Sequence, residues 1–457
     1  MWITSRKRDI SVANWHLFDD VRDTKLYMLM NHTSNFDIVS GERAVLKPTD
    51  SLPHSAFFAE LASLEQSDPS WCSVSAGLVT LRLVDAWMTE GAAAVRADGW
   101  GLRSVAAAIE EMPKGMPART ILQGVVDALR ESVGDDLCAV APRLMAYARC
   151  LDLDARWALA SDVYLSVIAH AHPVEESDVA IAAHLRLAYC ERSLGALDDA
   201  AASYATASAI ATDVDDMFGI LRAEIGAAKI AMERGNLPRA ETLLDDVIVR
   251  ARTRDELSDV HAMALQDRAG VAFYRERYDL AVQLAYQSLE LTRNPTDRDR
   301  LLSDIALAFT RLGVRSAARD AFLIVEATAQ EQYQRWTATM NLMEIAARDG
   351  AMPVFERYRR SLMAVPFPPP MRAQYHLQAA EGYEALDMPT GAASEARCAR
   401  DIAREFGYHK IAFDAEALLG RAERGQLTAA RSTEMQAADA VMVIAGRIGE
   451  MRRRVPG

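Results

Sequence analysis

The chain has 457 residues, 51 basic against 64 acidic side chains, a formal net charge of −13 and a half-apolar composition. That acidic balance excludes a sequence-independent grip on nucleic acid or on an anionic membrane, both of which need a basic surface. No stretch approaches the roughly 18 apolar residues of a spanning helix, and five scattered cysteines without Cys-x-x-Cys exclude a disulfide framework.

Residues 1–50 read as an irregular N-terminal segment, with Lys25–Met30 as a short alternating strand at most. Arg6, Lys7 and Arg8 have no apolar run behind them, so no secretory leader is expected and the cytoplasm is the expected compartment. Residues 51–137 read as a helical cap. One helix carries Leu78, Leu81, Leu83, Val84, Trp87 and Met88 and closes at Gly91. A second is expected from Ala92 to Met112, where Pro113-Lys114-Gly115 breaks it, and Ile121, Leu122, Val125, Val126 and Leu129 open a third.

From residue 138 to 427 a spacing recurs. Ala160, Ala200, Ala240, Ala281 and Ala318 lie 40, 40, 41 and 37 residues apart, and the frame continues at the same step of 37 to Phe355 and Ala392. Around each position apolar residues fall three and four apart on both sides of a central turn, as in Leu187, Ala188, Leu194, Gly195, Leu197, Ala200, Tyr204 and Ala207. This is helical periodicity, and Gly195 and Gly313 stand where a left-handed residue ends one helix and admits the next. A self-similar period of about 20–50 residues signals a solenoid, so the expected fold is all-α, a stack of about seven antiparallel helical hairpins. Connectors are acidic or proline-rich; Pro366-Phe367-Pro368-Pro369-Pro370 reads as a stiff linker. Residues 428–457 read as a capping helix and tail, with Met435, Ala438, Val441, Met442, Ile444 and Ile448 as its apolar positions and Arg452–Arg454 at its end.

The large, small, Gly, Ala, aromatic and small order resembles the tetratricopeptide repeat family, most closely around Ala200 and Ala318 and least around Phe355, where a large residue replaces the small one. The steps of 37–41 exceed the family's usual period and resemble the lengthened repeats in sensor arms of bacterial regulators. The resemblance implies that first helices line a concave groove. Carried over position by position, the groove residues are Arg149, Tyr189, Arg192, Lys229, Phe273, Tyr274, Arg311 and Arg348, with Met232, Leu307 and Glu344 beside them. Guanidinium groups grip carboxylates in a fork and aromatic rings offer rigid contact area, so the expected ligand is a protein or peptide, with an acidic segment or C-terminus as the favoured class. The paired Asn and Lys by which chaperone-binding members of the family hold a peptide terminus are absent at the equivalent positions.

Chemistry-bearing motifs are missing. There is no phosphate loop, no Gly-x-Gly-x-x-Gly after a strand and no Gly-x-Ser-x-Gly. His170 and His172 point to different faces of a helix and no third ligand follows at metal spacing, so neither metal nor cofactor nor catalysis is expected. Two functional classes remain: a non-catalytic scaffold or adaptor that binds a partner in its groove, or a ligand-sensing regulatory arm acting on a separate output protein such as a transcription regulator. No helix-turn-helix is legible at either terminus, which favours the scaffold.

Overall fold

The computed structural model describes residues 53–65, 67–131, 139–171, 176–427 and 438–455. The expectations for residues 1–50, for Cys138 and His172 and for Met435 fall outside these. Among the described residues the regular structure is entirely helical, with no strand. The helices group into two compact units, one ending at Ala264 and one beginning at Leu265.

In the first unit, α1 (Ser55–Ser63), α2 (Pro69–Glu90), α3 (Ala92–Asp98), α4 (Trp100–Glu111) and α5 (Pro117–Glu131) precede the repeats. The single helix expected over 92–112 is two, because Gly99 takes φ 58° and ends α3. Three hairpins follow: α6 (Ala141–Leu153) with α7 (Trp157–His170), α8 (Ser177–Ser193) with α9 (Leu197–Asp213), and α10 (Met217–Glu233) with α11 (Leu237–Ala251). Helix α12 (Ser258–Tyr274) crosses the boundary and pairs in sequence with α13 (Tyr278–Leu291). The second unit continues with α14 (Pro295–Arg311) and α15 (Arg315–Thr328), α16 (Gln332–Arg348) and α17 (Met352–Met363), α18 (Pro369–Ala385) and α19 (Pro389–Glu405), then α20 (His409–Glu423) and α21 (Asp439–Arg454).

The recurring position is a packing position. Ala160, Ala200, Ala240, Ala318 and Ala392 have no exposed surface, and Phe355 has none either. The phenylalanine fits because its partner is missing a side chain: a Cβ placed on Gly382 would lie 2.4 Å from the Phe355 ring. Volume lost on α18 is thus filled from α17, and the packing density of the interior is kept. Five residues before each of these positions, a left-handed residue turns the chain: Gly195, Gly235, Gly313 and Gly350, and also Ala155, Glu276 and Asp387 with φ of 58°, 58° and 55°. At every turn the next amide bonds back to a carbonyl five residues earlier, as Ala196 N–H does to Glu191 and Val314 N–H to Phe309, which satisfies carbonyls at the helix end. Phe367, within the proline-rich connector, is buried edge-on against Trp336 at 5.1 Å, so the linker is anchored to the core.

Successive first helices pack on one another (α6 on α8 and α8 on α10; α14 on α16, α16 on α18 and α18 on α20), whereas the backbones of successive second helices make no contact of comparable extent. First helices therefore line the inner face of each unit. Helix α21 does not cover the last hairpin. It lies across α13 and α15, burying Val441, Ile444 and Ile448, while Met442 is half-exposed because it stands about 100° round the helix from Val441. No helix of the described residues is long and apolar enough to cross a membrane.

Candidate functional site

The inner faces differ between the units. In the first, the expected groove cations are engaged. Arg149 is half-buried and its Nη1 donates to both oxygens of Asp152, at 3.0 and 3.1 Å. Arg192 is buried and reaches from α8 to Glu233 at the end of α10, at 2.5 Å. Tyr189 is also buried, with the guanidinium groups of Arg186 and Arg192 at 6.0 and 5.4 Å from its ring centre. Lys229 is half-buried on the same row. Arg149 and Arg192 are not the free forks expected of them. Their charge is spent on the neighbouring helix turn or hairpin, and their desolvation is offset internally.

In the second unit, Phe273 and Tyr274 at the end of α12 are half-buried, Phe273 packing edge-on against Tyr278 at 5.2 Å. Arg311 is exposed and makes no ion pair among the described residues, and Arg348 is exposed and bound to Glu344 on its own helix at 2.9 Å. Between them runs a row absent from the sequence expectation. Asp267, Asp304, Asn341 and Gln378 stand at steps of 37 residues on α12, α14, α16 and α18, each two residues before the small packing position of its first helix or that position's counterpart.

Three members of this row carry polar atoms without a protein partner. Asn341 is buried; its Nδ2 donates to the Thr337 carbonyl at 2.8 Å, and its Oδ1 has no partner among the described residues. The Oε1 of Gln378 is sealed from solvent and unbonded. Asp304 is half-buried without a hydrogen bond among the described residues; burial pushes its carboxyl up to about 7, Arg300 opposing and Asp267 reinforcing the shift. Of these, only the Gln378 oxygen is sealed from solvent, and a sealed polar atom is costly unless something satisfies it. One turn beyond Gln378, Glu381 reaches solvent yet is walled in by protein, as a side chain on a concave floor is. Burial and the charge of Glu344 raise its carboxyl to about 7, with Arg348 opposing and Asp414 and Glu384 adding to the rise. Glu384 itself is held by a two-bonded fork from Arg421 on α20, both bonds 2.8 Å. The row follows the same 37-residue period as the small packing positions, two residues ahead of them.

A second polar cluster lies in the first unit. His54, left-handed at φ 64° before α1, places Nε2 2.7 Å from Asp85 on α2 and Nδ1 3.1 Å from Asp162 on α7. His170 bonds the other oxygen of Asp85 at 3.1 Å, so it is more than a helix-end residue. Burial lowers the affinity of His54 for its proton, but the bonds and charges of Asp162 and Asp85 outweigh it and hold the group at about 9. Burial raises Asp85, and the two histidines more than reverse this, leaving it well below the usual carboxylate range. The arrangement pins α1 to α2 and α7. Among the described residues no group of three or more His, Cys, Asp or Glu is placed to hold a metal ion.

No family model and no curated protein matches this chain. Solved structures do. One is NprR in complex with its cognate peptide NprX, with 13% identity, 77% of this chain and 90% of that chain covered, and a TM-score of 0.42. Another is the apo form of RapI, with 11% identity, 76% and 98% covered, and a TM-score of 0.39.

Proposed function

We propose that the chain is a non-catalytic scaffold that holds an extended peptide segment on the inner face of residues 265–457, along α12, α14, α16 and α18. The observation that carries this reading is the row Asp267, Asp304, Asn341 and Gln378, which repeats once per hairpin and of which Asp304, Asn341 and Gln378 keep polar atoms without a partner among the described residues. Packed helices stand about 8–10 Å apart, and an extended chain advances about 3.3 Å per residue, so each member of the row meets every third residue of a ligand. Four helices then span about nine residues of peptide. Asn and Gln pair with a backbone amide through both a donor and an acceptor, and a neutral Asp304 offers the same pair of functions. Such a row reads main chain, while Phe273 and Arg311 beside it meet side chains.

The electrostatics argue against an acidic ligand on this face. Glu344, Glu381, Glu384 and Asp414 gather at its C-terminal part, where Arg348 and Arg421 are already bonded to Glu344 and Glu384. An added carboxylate there meets repulsion, and a neutral or cationic segment does not. The test is selection from a random peptide library displayed against the full chain. Affinity of an enriched peptide is then compared for the wild type and for Asn341→Leu/Gln378→Leu by fluorescence anisotropy. A loss of tenfold or more supports the row; equal affinity, or failure to enrich any peptide, counts against it.

A further inference from the structure

On the inner face of the second unit, Glu381 is an acid without a base. Its acidic neighbours all have one: on α16 Glu344 is bonded to Arg348 at 2.9 Å, and on α20 Asp414 is bonded to Lys410 at 2.9 Å. Glu384, one turn along α18, holds the fork of Arg421. Glu381 lies among these three carboxylates and makes no hydrogen bond or ion pair among the described residues. The group thus carries one negative charge more than it has cations, at a place walled by protein where a lone charge is poorly solvated. Burial and Glu344 push the Glu381 carboxyl up to about 7, so without a cation it takes up a proton instead.

A second observation falls at the same place. Asn341 stands three residues before Glu344 on α16, as Gln378 does before Glu381 on α18, so the two pairs share one register across the contact between these helices. Asn341 is only 8% exposed and its amide is half used. Nδ2 donates back onto its own helix, to the Thr337 carbonyl at 2.8 Å, while Oδ1 on the other side of the amide has no partner among the described residues. A carboxylate and an amide oxygen thus stand on neighbouring helices in want of a donor. Ammonium and guanidinium groups are all donor and positively charged, which meets both wants at once.

We propose that Glu381, with Asn341 beside it, is a subsite for one cationic group of the bound peptide. The inference rests on the peptide reading of this face and names what the ligand carries there. The cation bonds to Glu381, donates to Asn341 Oδ1 and displaces the proton, completing the fourth acid–base pair of the group. Glu344 and Asp414 keep their own partners and add attraction at longer range. Helix α18 is the last of the four that the row spans, so the cation sits within about three residues of one end of the segment, as a basic side chain or a terminal ammonium.

Selection from a random library of peptides about nine residues long, at physiological salt, tests this on three full-length chains: wild type, Glu381→Gln and Glu405→Gln. The net charge of −13 draws basic peptides to any part of the surface, and Glu405→Gln removes the same charge from an exposed position on the outer helix α19. Wild type and Glu405→Gln are expected to enrich peptides with Arg or Lys near one end, and Glu381→Gln to lose that preference. Replacing the selected Arg by citrulline, or Lys by norleucine, costs the wild type about tenfold in affinity and Glu381→Gln less than about twofold. N-terminal acetylation, scored in the same way, tells a terminal ammonium from a side chain. A basic preference that persists in Glu381→Gln, one lost equally in Glu405→Gln, an equal cost of the replacement in both chains, or wild-type enrichment of peptides without a cation near either end overturns the subsite and leaves the peptide reading in place. No enrichment by any of the three chains overturns both.

Discussion

The inner face of α8 and α10 and the inner face of α14, α16 and α18 are built from the same hairpin, yet they place their polar side chains differently. On the former, Arg192 crosses to Glu233 and lies against the Tyr189 ring, so its charge is met by the next hairpin. On the latter, Asp304, Asn341 and Gln378 keep atoms that no described residue satisfies. The difference teaches that the repeat frame fixes where a side chain points but not whether it is spent. A cation in a groove position is available only if the next hairpin lacks its acid, and that cannot be judged from one repeat alone.

The largest expected effect tests what the two faces share. Ala200→Asp and Ala318→Asp each place an unpaired carboxylate at a position without exposed surface, and each should cost about 4 kcal/mol or more. Chemical denaturation followed by circular dichroism measures this. A variant as stable as the parent would mean that the common scaffold is misread in that unit.

The next effect separates the faces. Arg192→Met leaves Glu233 without its partner in a poorly solvated place, a loss of about 2 kcal/mol in stability with peptide affinity unchanged. Asn341→Leu/Gln378→Leu should do the converse, weakening a selected peptide at least tenfold while the melting temperature stays level or rises, because unsatisfied polar atoms leave the interior. If both variants lose binding, the two faces act alike and the contrast fails.

Titration distinguishes them more gently. The folded-state value of His54 lies above its usual 6.5, so the clamp on α1 is fully in force below pH 6.5 and is lost as pH rises through about 9. Asp85, held below its usual 3.8, adds stability above that value that is lost on acidification. In the other unit Asp304 and Glu381 favour the proton in the folded state, so their contribution falls as pH rises from about 4 through about 7. Hydrogen exchange should therefore show α14 and α18 loosening from about pH 5, whereas α1 and α2 begin to loosen only above about pH 6.5. Asp304→Asn should abolish the first change and His54→Gln the second.

Much of this was legible in the sequence. The buried alanines and the left-handed turns at Gly195 and Gly313 follow from local patterning, and so does the assignment of first helices to an inner face once the resemblance is granted. The rest depends on distance along the chain. Phe355 reads as a broken repeat until Gly382, on the next hairpin, is seen to make room for its ring. His54 meets Asp85 and Asp162 across 31 and 108 residues, and Arg192 meets Glu233 across 41, pairings that no periodicity encodes. Helix α21 was amphipathic on paper, but nothing in its pattern says that its apolar side belongs on α13 and α15 and not on α20.

The smallest expected effect concerns the turns, where both units use the same device with unequal residues. Ala155, Glu276 and Asp387 adopt the left-handed conformation at a cost of about 1 kcal/mol relative to glycine, so Ala155→Gly, Glu276→Gly and Asp387→Gly should each stabilise slightly, by less than that. Thermal melts of the three single variants measure it, and a loss of stability at any of them would show that its side chain does something the turn does not require.

The most direct test of the central claim is hydrogen–deuterium exchange on the full chain with and without a saturating selected peptide. The account predicts protection concentrated in α14, α16 and α18, strongest around Asp304, Asn341 and Gln378, with α8 and α10 unchanged. Protection of α8 and α10, or of the outer helices α15, α17 and α19, with the inner row unaltered would contradict it.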